Sequence, residues 1–146
     1  MASYYDEEIV LYLKQNKINY FKNTTDFNEI VDFMMDKFEF RHGKLNLVGA
    51  DFEKYIKSDD MSISKDVINF LNELFHEQMC NSKEKVIYIG DDLTEYVYEF
   101  GFNDLTMLIP YLINNVPQHH YFLFDNMRRL LLVSFENEIL YVEKLE

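Results

Sequence analysis

Two aspartates, Asp91 and Asp92, directly follow the apolar run Val86-Ile87-Tyr88-Ile89 and a glycine, in the stretch YIGDDLTEYVYEF. Adjacent carboxylates at the end of a buried strand stand where phosphoryl-transfer enzymes hold a metal ion against phosphate oxygens. His76 and Cys80 are four residues apart, a spacing that puts two metal ligands on one face of a helix. Two ligands do not make a site, and Cys80 is the only cysteine, so both read as the buried edge of a helix. His119 and His120 open a β-rich run and would point to opposite sheet faces, which keeps them from acting together. His42, beside Gly43, reads as a loop residue. There is no Gly-any-Ser-any-Gly elbow for a nucleophilic serine, and the 4 glycines are too scattered for a phosphate-cradling loop.

The segment IGDDLTE resembles the acidic metal-binding loop of haloacid-dehalogenase-type phosphatases, including their trehalose-phosphate phosphatase branch. That resemblance implies a nucleophilic aspartate with a second aspartate two residues on, after an N-terminal strand. No Asp-any-Asp triplet occurs in this chain, and its N-terminal half reads as helical. A metal loop without the nucleophile catalyses nothing by that mechanism. The expectation is a protein that is not an enzyme and takes neither metal nor cofactor.

Charge is more informative. With 26 acids against 14 Lys and Arg, the formal net charge is -12 over 146 residues. Such a balance disfavours direct nucleic-acid binding and an anionic membrane surface, both of which need surplus cations. It suits a basic partner, whose approach a long-range field accelerates. The segment from Val86 to Met127 contains no Lys or Arg but holds Asp91, Asp92, Glu95, Glu99, Asp104 and Asp125. Three readings fit this segment: a solvated face, a docking surface for a basic partner, or a divalent-cation site. Interleaved Tyr88, Tyr96, Tyr98 and Phe102 favour docking, because tyrosine supplies interface anchors. The expected contact set is Asp91, Asp92, Glu95, Tyr96, Glu99 and Asp104.

These residues must be carried by a scaffold whose elements can be read from periodicity. Ser3 caps a helix to about Gln15, with Ile9, Tyr12 and Leu13 inward, and Asn16-Lys17-Ile18-Asn19 breaks it. Thr25 caps a helix from Asp26 to Phe38, with Phe27, Ile30, Val31, Met34, Met35 and Phe38 on its apolar stripe. Gly43 and Gly49 bracket a loop or short strand, and 57–60 is a polar connector. Ser64 opens a helix to about Met79, with Val67, Leu71, Leu74 and Phe75 aligned. Val86–Ile89 is a strand, Thr94–Phe100 a strand or short helix, and Asp104–Asn114 a helix broken or kinked at Pro110. His119–Phe124, Arg129–Phe135 and Glu138–Val142 read as an antiparallel meander. Helices first and strands later predict a single α+β domain over residues 1–146, its helices on one face of a C-terminal antiparallel sheet. No basic n-region with an apolar stretch and no membrane-length apolar run occurs, so a cytoplasmic protein is expected.

Taken as a whole, KVIYIGDDLTEYVYEF followed by PQHHYFLFDNMRRLLLVSFENEILYVEKLE resembles bacterial toxin-immunity proteins, most of all those of contact-dependent growth inhibition and related polymorphic toxin systems. The resemblance lies in a terminal strand pattern, here His120-Tyr121-Phe122, then Leu131 to Glu136, then Ile139 to Val142. Many such relatives carry a Trp before the second strand, and this chain has none. The resemblance implies a small cytoplasmic protein that binds the C-terminal domain of one cognate toxin, often a basic nuclease, and occludes its active site or substrate-binding face. An acidic protein that mimics DNA, or an adaptor that inhibits a nucleic-acid enzyme, is the alternative. The number of copies in the working assembly is left open.

Overall fold

The computed structural model describes residues 3–23, 26–41, 44–45, 52–76, 84–91 and 93–143. Among them, four α-helices and nine β-strands form one α+β domain. Helix α1 (Tyr4–Gln15) starts at Ser3, whose hydroxyl accepts the Asp6 N–H while the Asp6 carboxylate accepts the Ser3 N–H. This reciprocal cap satisfies two of the donors that every helix start leaves open. At the other end, Lys17 adopts a left-handed conformation, φ 55°. Its N–H reaches Lys14 O and the Ile18 N–H reaches Leu13 O, which closes the helix and plants Leu13 and Ile18 together in the core.

Seven strands form one antiparallel sheet in the order β1-β6-β5-β7-β8-β9-β4. Its centre is β5 (Lys85–Gly90), β7 (His120–Phe124), β8 (Arg129–Val133) and β9 (Glu138–Val142). The expected meander is therefore present, with β7 paired to β8 and β8 to β9. The ambiguous stretch after Thr94 becomes β6 (Val97–Gly101), which pairs β5 and the edge strand β1 (Tyr20–Asn23). The opposite edge is β4 (Lys54–Lys57), whose two lysines suit an edge that must not recruit strays. A separate short hairpin joins β2 (Phe40–Arg41) to β3 (Lys44–Leu45).

The helices do not all lie on one face, and here the expectation is corrected. α1, α3 (Ile63–His76) and α4 (Leu105–Asn115) cover the face carrying Val86, Tyr88, Phe122, Leu131 and Tyr141. Helix α2 (Phe27–Lys37) covers the other, against Ile89, Tyr121, Leu123, Leu130 and Leu140. Burial on both faces explains why β7 and β8 read HYFLF and RLLLV, nearly continuous apolar runs without polar alternation. Two details of the helices also differ. Met35 lies on the solvent side of α2, 54% exposed, one step off the stripe set by Ile30 and Met34. Pro110 sits inside α4 without ending it, because the helix is held by Leu105, Leu108, Ile109 and Leu112 in the core. Helix α3 begins at Ile63, where Asp59 accepts the Met61 and Ser62 N–H groups, so Ser64 is not its cap. Thr25, His42, Gly43, Gly49, Met79 and Cys80, and the side chains of Phe75 and His76, fall outside the described residues. Among the described residues, no helix is long and apolar enough to cross a membrane.

Candidate functional site

The C-terminal end of β5 meets the start of β7, the β8–β9 turn and residues 93–96, and polar chemistry concentrates there. Gly90 pairs with His120, and His120 pairs with Val133. The Gln118 side chain lies over Gly90 so closely that a Cβ there would fall 1.8 Å from its Nε2. Only glycine leaves room for that amide. From this position Gln118 Oε1 accepts the Leu93 N–H at 2.7 Å, and Nε2 donates to Thr94 Oγ1 at 3.0 Å and to the Tyr88 hydroxyl at 3.1 Å. Tyr88, having accepted from Gln118, donates to His120 Nδ1 at 2.7 Å. The other ring N–H of His120 is directed to the Val116 backbone. Burial holds the imidazole neutral, lowering its pKa to about 3, and pushes the Tyr88 phenol up.

A second buried polar group secures the same loop from the helical side. Asp6 is fully buried and accepts from Glu95 N at 2.8 Å, Tyr96 N at 3.4 Å, Ser3 Oγ at 2.8 Å and the Tyr98 hydroxyl. Leu93 O lies 2.7 Å from the same hydroxyl and shares its single proton with Asp6. Hydrogen bonds to both carboxylate oxygens let the charge sit in the interior without a cation. Residues 93–96 are thus clamped by Gln118 on one side and Asp6 on the other.

Two hollows flank the loop. On the three-helix side an open cleft of about 440 Å³ runs between α3, α4 and the β8–β9 turn, bordered by Asp60, Ile63, Asn114, His120, Phe135 and Asn137. On the α2 side an apolar pocket of about 230 Å³ is bordered by Phe27, Val31, Met34, Gly90, Asp91 and Tyr121. Beside the cleft, Phe135 is 58% exposed and Met61 96% exposed. Asp59, Asp60, Glu95 and Glu136 are exposed at this end as well. The nearby Lys57 is engaged with the Glu136 carbonyl at 2.7 Å. Among the described residues, no three His, Cys, Asp or Glu side chains converge as metal ligands.

The expected contact residues divide. Asp91, Glu95 and Tyr96 belong to this sheet end: Asp91 accepts from the Tyr121 hydroxyl at 2.7 Å, Glu95 is exposed, and Tyr96 lies under the Lys22 ammonium at 4.6 Å. Asp92 falls outside the described residues. Glu99 lies in mid-strand on β6, opposite Phe21 and Ile87. Asp104 precedes α4 at the far end of the β5–β6 hairpin, where Gly101 pairs with Lys85. The length of β5, roughly 17 Å at about 3.3 Å per residue, separates Asp104 from Asp91. Partial burial raises the Asp104 carboxyl pKa, with Lys85 opposing. Asp125 is balanced by Arg128 and Arg129 just beyond the lysine-free segment, at 3.0 and 3.5 Å.

The sequence reading missed Asp6, Asp60, Met61, Gln118, Phe135 and the outer face of α2. That face carries Asp26, Glu29, Asp32 and Asp36, all exposed, at three- and four-residue spacing complementary to the apolar stripe. The same periodicity that located the helix could have located its acids. Gln118 and His120 had a weaker signal, a polar pair run directly into an apolar strand without an intervening turn. The chain matches no family model, no curated protein and no solved structure.

Proposed function

We propose that the chain is an immunity protein that binds a basic bacterial toxin domain and blocks its active site or substrate-binding face. What supports this reading is one combination at the sheet end: exposed acids (Asp59, Asp60, Glu136) set beside exposed Phe135 and Met61 at an open cleft, with Glu95 exposed on the adjoining loop. Aromatic and methionine side chains are what interface cores enrich, while acids accelerate encounter with a cationic surface. A nuclease must present Lys and Arg to its substrate, and an acidic inhibitor can occupy that groove. The clamped loop keeps Glu95 and Tyr96 in place before binding, which lowers the ordering cost of association. Glu99, Asp104 and the acids of α2 act in this reading through the field, with the sheet end making the contact. A standard interface buries roughly 1,200–2,000 Å² in total.

The test uses the C-terminal domain encoded immediately upstream in the native locus, expressed inducibly with and without this protein. Growth arrest relieved only by this chain supports immunity. Inhibition of several unrelated DNA-binding enzymes would instead favour DNA mimicry, and toxicity without rescue would remove the immunity reading.

A further inference from the structure

The cleft at the sheet end has a chemistry narrower than general docking. Ile63 and Ile113 are apolar parts of an otherwise largely polar lining, and among the described residues no Lys or Arg borders it. Asp60 and Asn137 stand at its mouth, with Asn137 Nδ2 donating to Asp60 Oδ1. A carboxylate has further lone pairs beyond that one bond. Helix α4 ends against the cleft at Asn114 and Val116, and its last turn carries no basic residue to offset the negative end of the helix. The floor is His120, uncharged and closed by its own hydrogen bonds, so it does not repel a cation. At the rim the Phe135 ring is exposed.

We propose that this cleft is the socket for an arginine side chain of the partner, a reading that rests on the docking function proposed above. Ile63 and Ile113 suit its methylene stem, Asp60 and the end of α4 suit its charge, and Phe135 offers a ring to a planar guanidinium. A lysine would use the carboxylate but not the stacking surface.

The experiment titrates isotope-labelled protein with N-acetyl-arginine amide and with the uncharged, isosteric N-acetyl-citrulline amide, followed by amide NMR shifts. Saturable shifts at Ile63, His120 and Asn137 are expected for the arginine compound, with at least tenfold weaker binding of the citrulline compound. Asp60→Asn should weaken the arginine compound about tenfold. Asn114→Arg should abolish its binding, because the exposed last turn of α4 then supplies its own cation to the cleft. Absence of shifts, or equal binding of both compounds, overturns the socket. Docking is read separately by co-purification with the domain encoded upstream. Capture by wild type and Asn114→Arg alike would overturn the socket and leave docking standing. Arginine binding without capture of that domain would overturn docking and leave the cleft as a cation socket.

Discussion

Replacing Gly90 by alanine should be one of the most costly single-methyl additions in this protein. The new Cβ would lie 1.8 Å from Gln118 Nε2 and 2.3 Å from its Cδ, so the amide must leave. Gln118 would then lose its bonds to Leu93 N, Thr94 Oγ1 and the Tyr88 hydroxyl. At about 1 kcal/mol each, with a further 1–3 kcal/mol or so for stranding the Leu93 donor, the expected loss is about 4–6 kcal/mol. For a chain of 146 residues that corresponds to a fall in Tm of roughly 13–20 °C. Urea unfolding followed by circular dichroism gives the value, provided the slope with denaturant is unchanged. The decisive comparison is a double-mutant cycle with Gln118→Ala, which removes the obstructing amide. In that background Gly90→Ala should cost under about 0.5 kcal/mol, giving a coupling of 2 kcal/mol or more. If Gly90→Ala costs the same in both backgrounds, or lies within about 1 kcal/mol of wild type, the account of Gly90 is wrong.

Other expectations rest on separate parts of the fold. Asp6→Asn puts an amide N–H against backbone donors and should cost about 3 kcal/mol by urea titration, with Tyr98→Phe costing about 1–2 kcal/mol; an Asp6→Asn protein as stable as wild type would sink the clamp. His120 is neutral when folded, with its pKa lowered to about 3, while the unfolded chain titrates near 6.5. The unfolded state therefore binds the extra proton between those values, and stability should fall with decreasing pH by up to about 1.4 kcal/mol per unit below about pH 6.5. His120→Gln should flatten that part of the wild-type profile, and identical slopes would contradict the assignment. Lys17→Gly at the left-handed residue after α1 should stabilise by about 1 kcal/mol, read as a rise in the urea midpoint. Association with a basic partner at low salt should slow about tenfold for Asp91→Lys combined with Glu95→Lys, a change visible in stopped-flow rates.

What could be read from the sequence follows how local each signal is. The cap at Ser3, the α2 stripe and the three terminal strands are set by residues within a few positions of one another, and each is present. The side that α2 covers could not be read, since an apolar stripe says that a helix is buried but not against which face. The same limit hid the sheet edges, because β1 and β4 gain their identity only from partners far along the chain. Within the site, Glu95 and Asp91 were legible as acids after a strand, whereas the clamp needs Asp6 to meet residues 95–98 and Gln118 to meet 93–94. Asp104 was grouped with Asp91 by sequence proximity, but an antiparallel hairpin sends the residues after its second strand back to where its first began.

The strand order also bears on synthesis. Both edge strands, β1 and β4, are made early, yet their partners β6 and β9 come late, β9 ending at Val142. Helices α1 to α3 likewise emerge with apolar stripes whose sheet does not yet exist. At about 5–20 residues per second the ribosome leaves these surfaces uncovered for several seconds. The chain must therefore complete its fold largely after its last strand clears the exit tunnel, with non-local pairings that close slowly. During that interval the nascent protein exposes apolar surface of the kind chaperones bind, and a translational pause ahead of residue 120 would lengthen the exposure, not relieve it.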